Sequence, residues 1–141
     1  MRPVALALLA LLVVTACGRS GPVTVHDAWA NATPVGATVG AVYLELRAGQ
    51  ADTLLSASTT VADRIEMHSS SEQNGMMQMR PLSTVDLKSG EPFAFAPNGA
   101  HFMLVGLRQP LAAGMRFPVT LQFKNAGSLT TQVDVVELGS R

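Results

Sequence analysis

Strict alternation of apolar and polar side chains is the feature that most constrains the fold of this chain. The alternation is clearest over residues 115–124, recurs over 129–135, and appears again over 23–29 and 41–46. A strand places successive side chains on opposite faces. No window sustains the i, i+3, i+4, i+7 apolar spacing that a core helix requires. Short alternating segments separated by turn signals therefore predict an all-β domain, either an antiparallel β-sandwich or a barrel.

Length and charge narrow the class of protein further. The chain has 141 residues, enough for one ordinary domain. Ten basic side chains balance ten acidic ones, whereas a nucleic-acid binder would carry a basic stripe that neutralises phosphates. Aromatic residues make up 5%, so few platforms for base stacking exist. We therefore expect no nucleic-acid partner.

Enzyme signatures are missing from the sequence. It contains no GxSxG elbow, no HExxH pair and no GxxxxGK[ST] phosphate loop. A single Cys excludes an internal disulfide, a CxxC redox pair and a Cys-based zinc finger. A blue-copper electron carrier also needs a Cys thiolate on the metal. We expect a binding protein and no enzyme.

The first residues have the character of an export signal. Arg2 is followed by an apolar run over 4–14 and then by Thr15-Ala16-Cys17. A positive start, a short apolar core and small residues before the break are typical of a secretory signal. The last four residues of this segment, Val14 to Cys17, resemble a bacterial lipobox, whose Cys is lipidated and becomes the new N-terminus. The alternative is an ordinary signal peptide that leaves Cys17 as a free thiol.

These observations predict three segments. We expect a lipoprotein signal peptide over 1–16, a lipid anchor and linker over 17–22, and one β-sandwich domain over 23–141. The mature protein would be held on a membrane through lipidated Cys17, in the periplasm or cell envelope. Inner and outer membrane remain open as locations.

Methionine and histidine are placed in an unusual way along residues 67–79. Asn74-Gly75 lies between two strand-like runs and predicts a tight hairpin, because both central residues of a type I′ turn need positive φ. In that register paired positions sum to 149, so that His68 faces Pro81 and Met79 faces Ser70. His68, Met77 and Met79 would then share one face, and Met67 and Met76 the other.

A second segment, Gly99 to Leu104, carries His101 and Met103 two residues apart. Residues i and i+2 of a strand point the same way, so these two side chains share a face while Phe102 between them points into the core. Two His and one or two Met from two extended segments could meet on one ion. Either Met77 or Met79 would then be the ligand from the first segment.

The donor types indicate which metal would be bound. Thioether sulfur is soft and uncharged and prefers Cu(I), and imidazole suits copper as well as zinc. A zinc site would more often recruit Cys or carboxylate. Thiolates are at risk in an oxidising compartment, whereas Met forms no disulfide and has no proton to lose. Taken singly, each of these residues is more often a packing or surface residue; together they predict a copper site.

Five further residues are expected to lie outside the ligand set. His26 lies on the first strand, away from this pattern, and is expected at the surface. Trp29 is expected in the core. Met67 and Met76 are expected to pack, and Met77 to lie beside the site as an outer contact.

The spacing of His68, Met79, His101 and Met103 resembles the signature of the PCuAC family of periplasmic copper chaperones. Blocks around the signature resemble the family too, and together they extend from about Val23 to Val136: Asp27-Ala28-Trp29, Gly40-Ala41-Val42-Tyr43, Glu66-Met67-His68, Met79-Arg80-Pro81 and His101-Phe102-Met103-Leu104-Val105-Gly106-Leu107.

The resemblance implies a cupredoxin-like or immunoglobulin-like antiparallel β-sandwich that binds one Cu(I). The ligands it implies are His68, Met79, His101 and Met103. It also implies delivery of copper towards the Cu(A) centre of cytochrome c oxidase subunit II, beside a Sco-type protein. Family members often carry a His/Met-rich tail, and Gly139-Ser140-Arg141 offers none, so a second tail-borne Cu(II) site is not expected. The competing hypothesis is a metal-free envelope lipoprotein that binds a protein partner or has a structural role.

Overall fold

A computed structural model of the protein describes residues 22–141. The predicted signal segment and Cys17 lie outside these residues. None of the described residues forms a helix that could span a membrane. The elements are ten strands: β1 (Val23–Asn31), β2 (Val39–Ala48), β3 (Asp52–Thr59), β4 (Ala62–Gln73), β5 (Met76–Leu82), β6 (Val85–Leu87), β7 (Pro92–Phe95), β8 (Ala100–Leu107), β9 (Arg116–Phe123) and β10 (Gly127–Val136).

The all-β prediction is confirmed, and the alternating segments are strands. Neighbouring strands follow the order β5-β4-β8-β2-β1-β10-β9-β3-β6, and β7 pairs with β2 beside this path. The paired strands are antiparallel with one exception. The exception is the parallel pair of β1 and β10, in which Trp29 lies opposite Asp134. The parallel pair joins two halves of the sheet. The first half contains β5, β4, β8, β2 and β1, and the second contains β10, β9, β3 and β6.

The two halves enclose one apolar core. Phe102 and Leu104 of β8 belong to the same buried cluster as Phe117 and Leu121 of β9, and each is at most 1% exposed. Strands from both halves can share a cluster because the sheet folds over into two layers that face each other, the arrangement of a sandwich. Trp29 is 8% exposed, as predicted for a core residue.

The β4–β5 hairpin has the predicted turn and register. Asn74 and Gly75 have φ values of 52° and 76°, the positive values that a type I′ turn requires. His68 lies opposite Pro81 and Ser70 opposite Met79. The turn therefore fixes which side chains of the hairpin point to the same face.

Candidate metal centre

The predicted site residues lie on one face of three neighbouring strands. On β4 and β8, His68 is directly opposite His101, and Glu66 is directly opposite Met103. The two imidazole rings are 5.8 Å apart between centroids. The side chains between them, Met67 and Phe102, point the other way and are buried in the core. The segments that carry the two His are thus brought together by direct strand pairing.

An open groove collects three of the four predicted residues. It has a volume of about 430 Å³ and is lined by His101 and Met103 of β8, Met79 of β5, and Ser70 and Tyr43 among others. Ser70 lies opposite Met79 and donates its N–H to the carbonyl of Gly99. Because Ser70 is small, it fills little of the groove that Met79 and His101 also line.

His68 lies at the edge of this arrangement. It lines a separate groove of about 250 Å³, together with Pro81 and Met67 among others. Its ring lies 5.8 Å, centroid to centroid, from that of His101, which lines the first groove. The structure therefore brings Met79, His101 and Met103 into one groove and places His68 beside them.

The imidazole of His101 has one nitrogen engaged and one open. The residue is 8% exposed, and Nδ1 lies 3.1 Å from the carbonyl oxygen of Gly99. A carbonyl can only accept, so Nδ1 carries the proton and donates it. The lone pair of the neutral ring is then on Nε2. Ligating histidines commonly donate their other N–H to a carbonyl or carboxylate in this way.

His68 has the opposite tautomer for the same reason. Its Nε2 lies 3.0 Å from Oε2 of Glu66, and because a carboxylate oxygen only accepts, Nε2 carries the ring proton and donates the hydrogen bond. Its Nδ1 is buried and has no hydrogen-bond partner among the described residues. A buried polar atom without a partner is unfavourable and is rare in native proteins. A metal ion that accepts this lone pair would satisfy it.

Glu66 connects His68 to a guanidinium group. Its other oxygen, Oε1, accepts a hydrogen bond of 2.7 Å from Nε of Arg64. The hydrogen bonds from Arg64, and then from His68, hold the pKa of Glu66 below its usual range. Glu66 is not among the site residues predicted from the sequence, although its i, i+2 spacing from His68 on a strand signals that the two share a face. Tyr43 also lines the groove, and burial raises the pKa of its hydroxyl.

The methionines separate into buried and exposed groups. Met67 is 7% exposed and packs in the core as predicted. The packing role predicted for Met76 is wrong, since it is 65% exposed. The reason is the length of the hairpin, because β8 pairs with β4 only as far as Ser69, and no other strand within residues 22–141 covers the turn. Met77 shares the face of Met79 as predicted, and His26 is exposed.

The candidate donors in and beside the groove are of only two chemical types. Within residues 22–141 there is no group of three or more His, Cys, Asp or Glu that could hold a metal. Two imidazoles beside two thioethers make a soft, uncharged donor set, which suits Cu(I) better than zinc, calcium or magnesium.

Comparison with known proteins gives a consistent family and fold. The family model for LpqE-like lipoproteins matches residues 23–135. The lipoprotein Lxx21020 of Leifsonia xyli subsp. xyli is 29% identical over 114 residues, which are 80% of this chain and 69% of the relative.

Two solved structures share the fold. The copper-bound PCuAC domain from PmoF2 superposes with a TM-score of 0.70 and 21% identity, covering 84% of this chain and 95% of that domain. The Cu(I) form of DR1885 from Deinococcus radiodurans superposes with a TM-score of 0.62 and 27% identity, covering 88% and 85%. The sandwich described above is therefore of the PCuAC type.

Proposed function

This chain belongs to the LpqE-like lipoprotein family, and we propose that it is a copper chaperone that holds one Cu(I) ion. The proposed ligands are Nδ1 of His68, Nε2 of His101, and the sulfur atoms of Met79 and Met103. The observation that carries the proposal is the state of the two rings. In each ring one nitrogen donates a hydrogen bond to a fixed acceptor. The other nitrogen keeps a lone pair that could bind a metal, in or beside a groove that is also lined by two thioethers.

The charge of the site favours the lower oxidation state. None of the four ligands is anionic, so bound Cu(I) keeps its single positive charge, and soft neutral donors favour Cu(I) over Cu(II). The site carries the ion, and the only bonds that form or break are those between copper and its ligands. Release takes place when the ligands of a partner replace these four one at a time.

The cellular setting follows from the family and from the start of the sequence. We propose that Cys17 is lipidated after signal cleavage, so that the domain works in the periplasm or cell envelope on a membrane anchor. The lipobox-like sequence and the lipoprotein family support this. We propose the Cu(A) centre of cytochrome c oxidase subunit II as the destination, with a Sco-type protein beside it, on the resemblance to PCuAC chaperones.

A Cu(I) competition titration tests the site. The protein competes anaerobically with a chromophoric Cu(I) chelator, and we expect uptake of one equivalent. His68→Ala, Met79→Ala, His101→Ala and Met103→Ala should each weaken binding by about tenfold or more, since each removes one donor. His26→Ala is the matched control, because His26 is an exposed histidine on another strand, and it should bind like the wild type.

Two outcomes would contradict the proposal. Absence of stoichiometric uptake by the wild type would favour a metal-free β-sandwich that binds a protein partner. Full affinity in all four alanine variants would place the copper elsewhere. Delivery is tested separately by mixing loaded protein with the apo soluble domain of oxidase subunit II, where copper should appear in the subunit II fraction.

A further inference from the structure

Two methionines at the tip of the β4–β5 hairpin are exposed to solvent. Met76 is 65% exposed and Met77 54% exposed, and they are the first two residues of β5 after the Asn74-Gly75 turn. Methionine usually fills gaps in apolar cores. Neither residue contributes to the buried core of the described chain, so packing does not explain why thioethers occupy these positions.

The hairpin register distinguishes the two residues. Met77 lies opposite Glu72 and points to the same face as Met79, whereas Met76 lies opposite Gln73 and points to the other face. Same-face neighbours on a strand are about 7 Å apart along the chain. Two flexible thioether side chains can therefore reach an ion that lies between Met77 and Met79.

Accessibility decides where ligand exchange can begin. His101 is 8% exposed and the side chain of His68 is 14% exposed, so the imidazole side of the ion is much less accessible to a partner than the thioether side. Met79 is 55% exposed. The β5 side of the groove is thus the open side, and Met77 is the next soft donor outward from it.

We propose that Met77 is a hand-off ligand for Cu(I), a position that holds the ion transiently as it enters or leaves the four-ligand site. This inference rests on the proposed copper function. In each step one Cu–S bond forms, by donation of a thioether lone pair, before a bond to another ligand breaks. No electron or proton is transferred, and the ion stays Cu(I) throughout. The carboxylate of Glu72, opposite Met77, adds a weak attraction for the cation.

Stopped-flow exchange between the protein and a chromophoric Cu(I) chelator tests the proposal. Met77→Leu removes the sulfur and keeps the volume, and Met76→Leu makes the same change on the opposite face. A ligand used only in the intermediate affects the barrier and leaves the end states unchanged. We therefore expect Met77→Leu to slow uptake and release equally, by about tenfold, with the equilibrium affinity within about twofold of the wild type. Met76→Leu should exchange like the wild type.

Each other result overturns the proposal in a distinct way. Equal exchange rates for Met77→Leu, Met76→Leu and the wild type would show that Met77 takes no part in transfer. A loss of equilibrium affinity of about tenfold or more in Met77→Leu would make Met77 a resident ligand instead. Equal slowing by both variants would indicate a general surface effect of the hairpin. If the wild type took up no Cu(I), the proposed function would fail and this inference with it.

Discussion

Two buried polar side chains, one in each half of the sheet, are satisfied to different degrees. Asp52 of β3 is 6% exposed and His101 of β8 is 8% exposed. The carboxylate of Asp52 accepts three backbone N–H groups, from Thr53 at 2.7 Å, Asn125 at 2.9 Å and Ala126 at 2.8 Å. The ring of His101, which lines the groove, donates through Nδ1, while its Nε2 has no hydrogen-bond partner among the described residues.

The difference separates a structural group from a functional one. Burying a polar group is unfavourable unless its hydrogen bonds are made. Asp52 makes them with the chain itself, and so fastens the β9–β10 turn to the start of β3. His101 retains a free lone pair at a place where the fold leaves room for a ligand. A fully satisfied buried group therefore predicts a role in stability, and an incompletely satisfied one beside a groove predicts a role in binding.

Exchanging the two residues for alanine should separate the two roles, with the largest effects expected in this protein. His101→Ala should weaken Cu(I) binding by about 100-fold, because a preorganised donor is lost. Asp52→Ala should lower the free energy of unfolding by about 2 kcal/mol, because three N–H groups lose a charged acceptor. Chelator competition measures the first quantity and urea unfolding of the apo protein measures the second.

The two substitutions should each change one property, the copper affinity in His101→Ala and the stability in Asp52→Ala. Asp52→Ala should bind Cu(I) with wild-type affinity once folded. His101→Ala should unfold at a urea concentration much closer to that of the wild type than Asp52→Ala does. A large loss of copper affinity in Asp52→Ala would mean that the two halves of the sheet are coupled.

Glu66 offers a finer test of how a ring is prepared for a metal. Glu66→Ala removes the acceptor that fixes the proton of His68 on Nε2, and we expect about tenfold weaker Cu(I) binding. Glu66→Gln keeps an acceptor oxygen and should recover most of the affinity. Nitrogen-15 NMR of the apo protein should show loss of the Nε2–H tautomer of His68 in Glu66→Ala and its retention in Glu66→Gln.

A matched control for this experiment exists on β2. Glu45 pairs with Arg47 two residues away through a 2.6 Å contact, as Glu66 pairs with Arg64. Glu45→Ala should leave copper affinity unchanged. Equal losses in Glu45→Ala and Glu66→Ala would point to surface charge as the cause, and the positioning role of Glu66 would be wrong.

Local features of this fold could be predicted from the sequence because they have local causes. Asn74 and Gly75 determine a turn type, the turn determines a register, and the register determines that Met77 and Met79 share a face. Strand alternation likewise places Phe102 in the core and His101 on the opposite face. In each case the relevant residues are within a few positions of one another.

Features that depend on distant partners could not be predicted. The pairing of His68 with His101 depends on the path of the chain through β5, β6 and β7, which no short pattern specifies. The parallel pairing of β1 with β10 joins the two ends of the domain. The exposure of Met76 depends on where β8 ceases to cover β4. Apolar composition predicts burial only where a neighbour is present to provide it.

Acidification should reveal the structural role of Asp52, with the smallest effect of this series. Burial raises the pKa of Asp52, but the hydrogen bonds from Asn125, Thr53 and Ala126 outweigh it and hold the pKa below its usual range. In the unfolded chain the carboxyl group of an aspartate has a pKa of about 4. Because the folded pKa is the lower one, the stability from Asp52 is complete above about pH 4 and is lost as the pH falls through the folded value.

The urea midpoint of the apo wild type should therefore fall more steeply below about pH 4 than that of Asp52→Asn, which has no proton to bind there. The effect is smaller than that of Asp52→Ala because a protonated carboxyl group still accepts hydrogen bonds. Parallel acid profiles for the two proteins would show that other carboxylates control acid unfolding, and that Asp52 contributes through packing instead of charge.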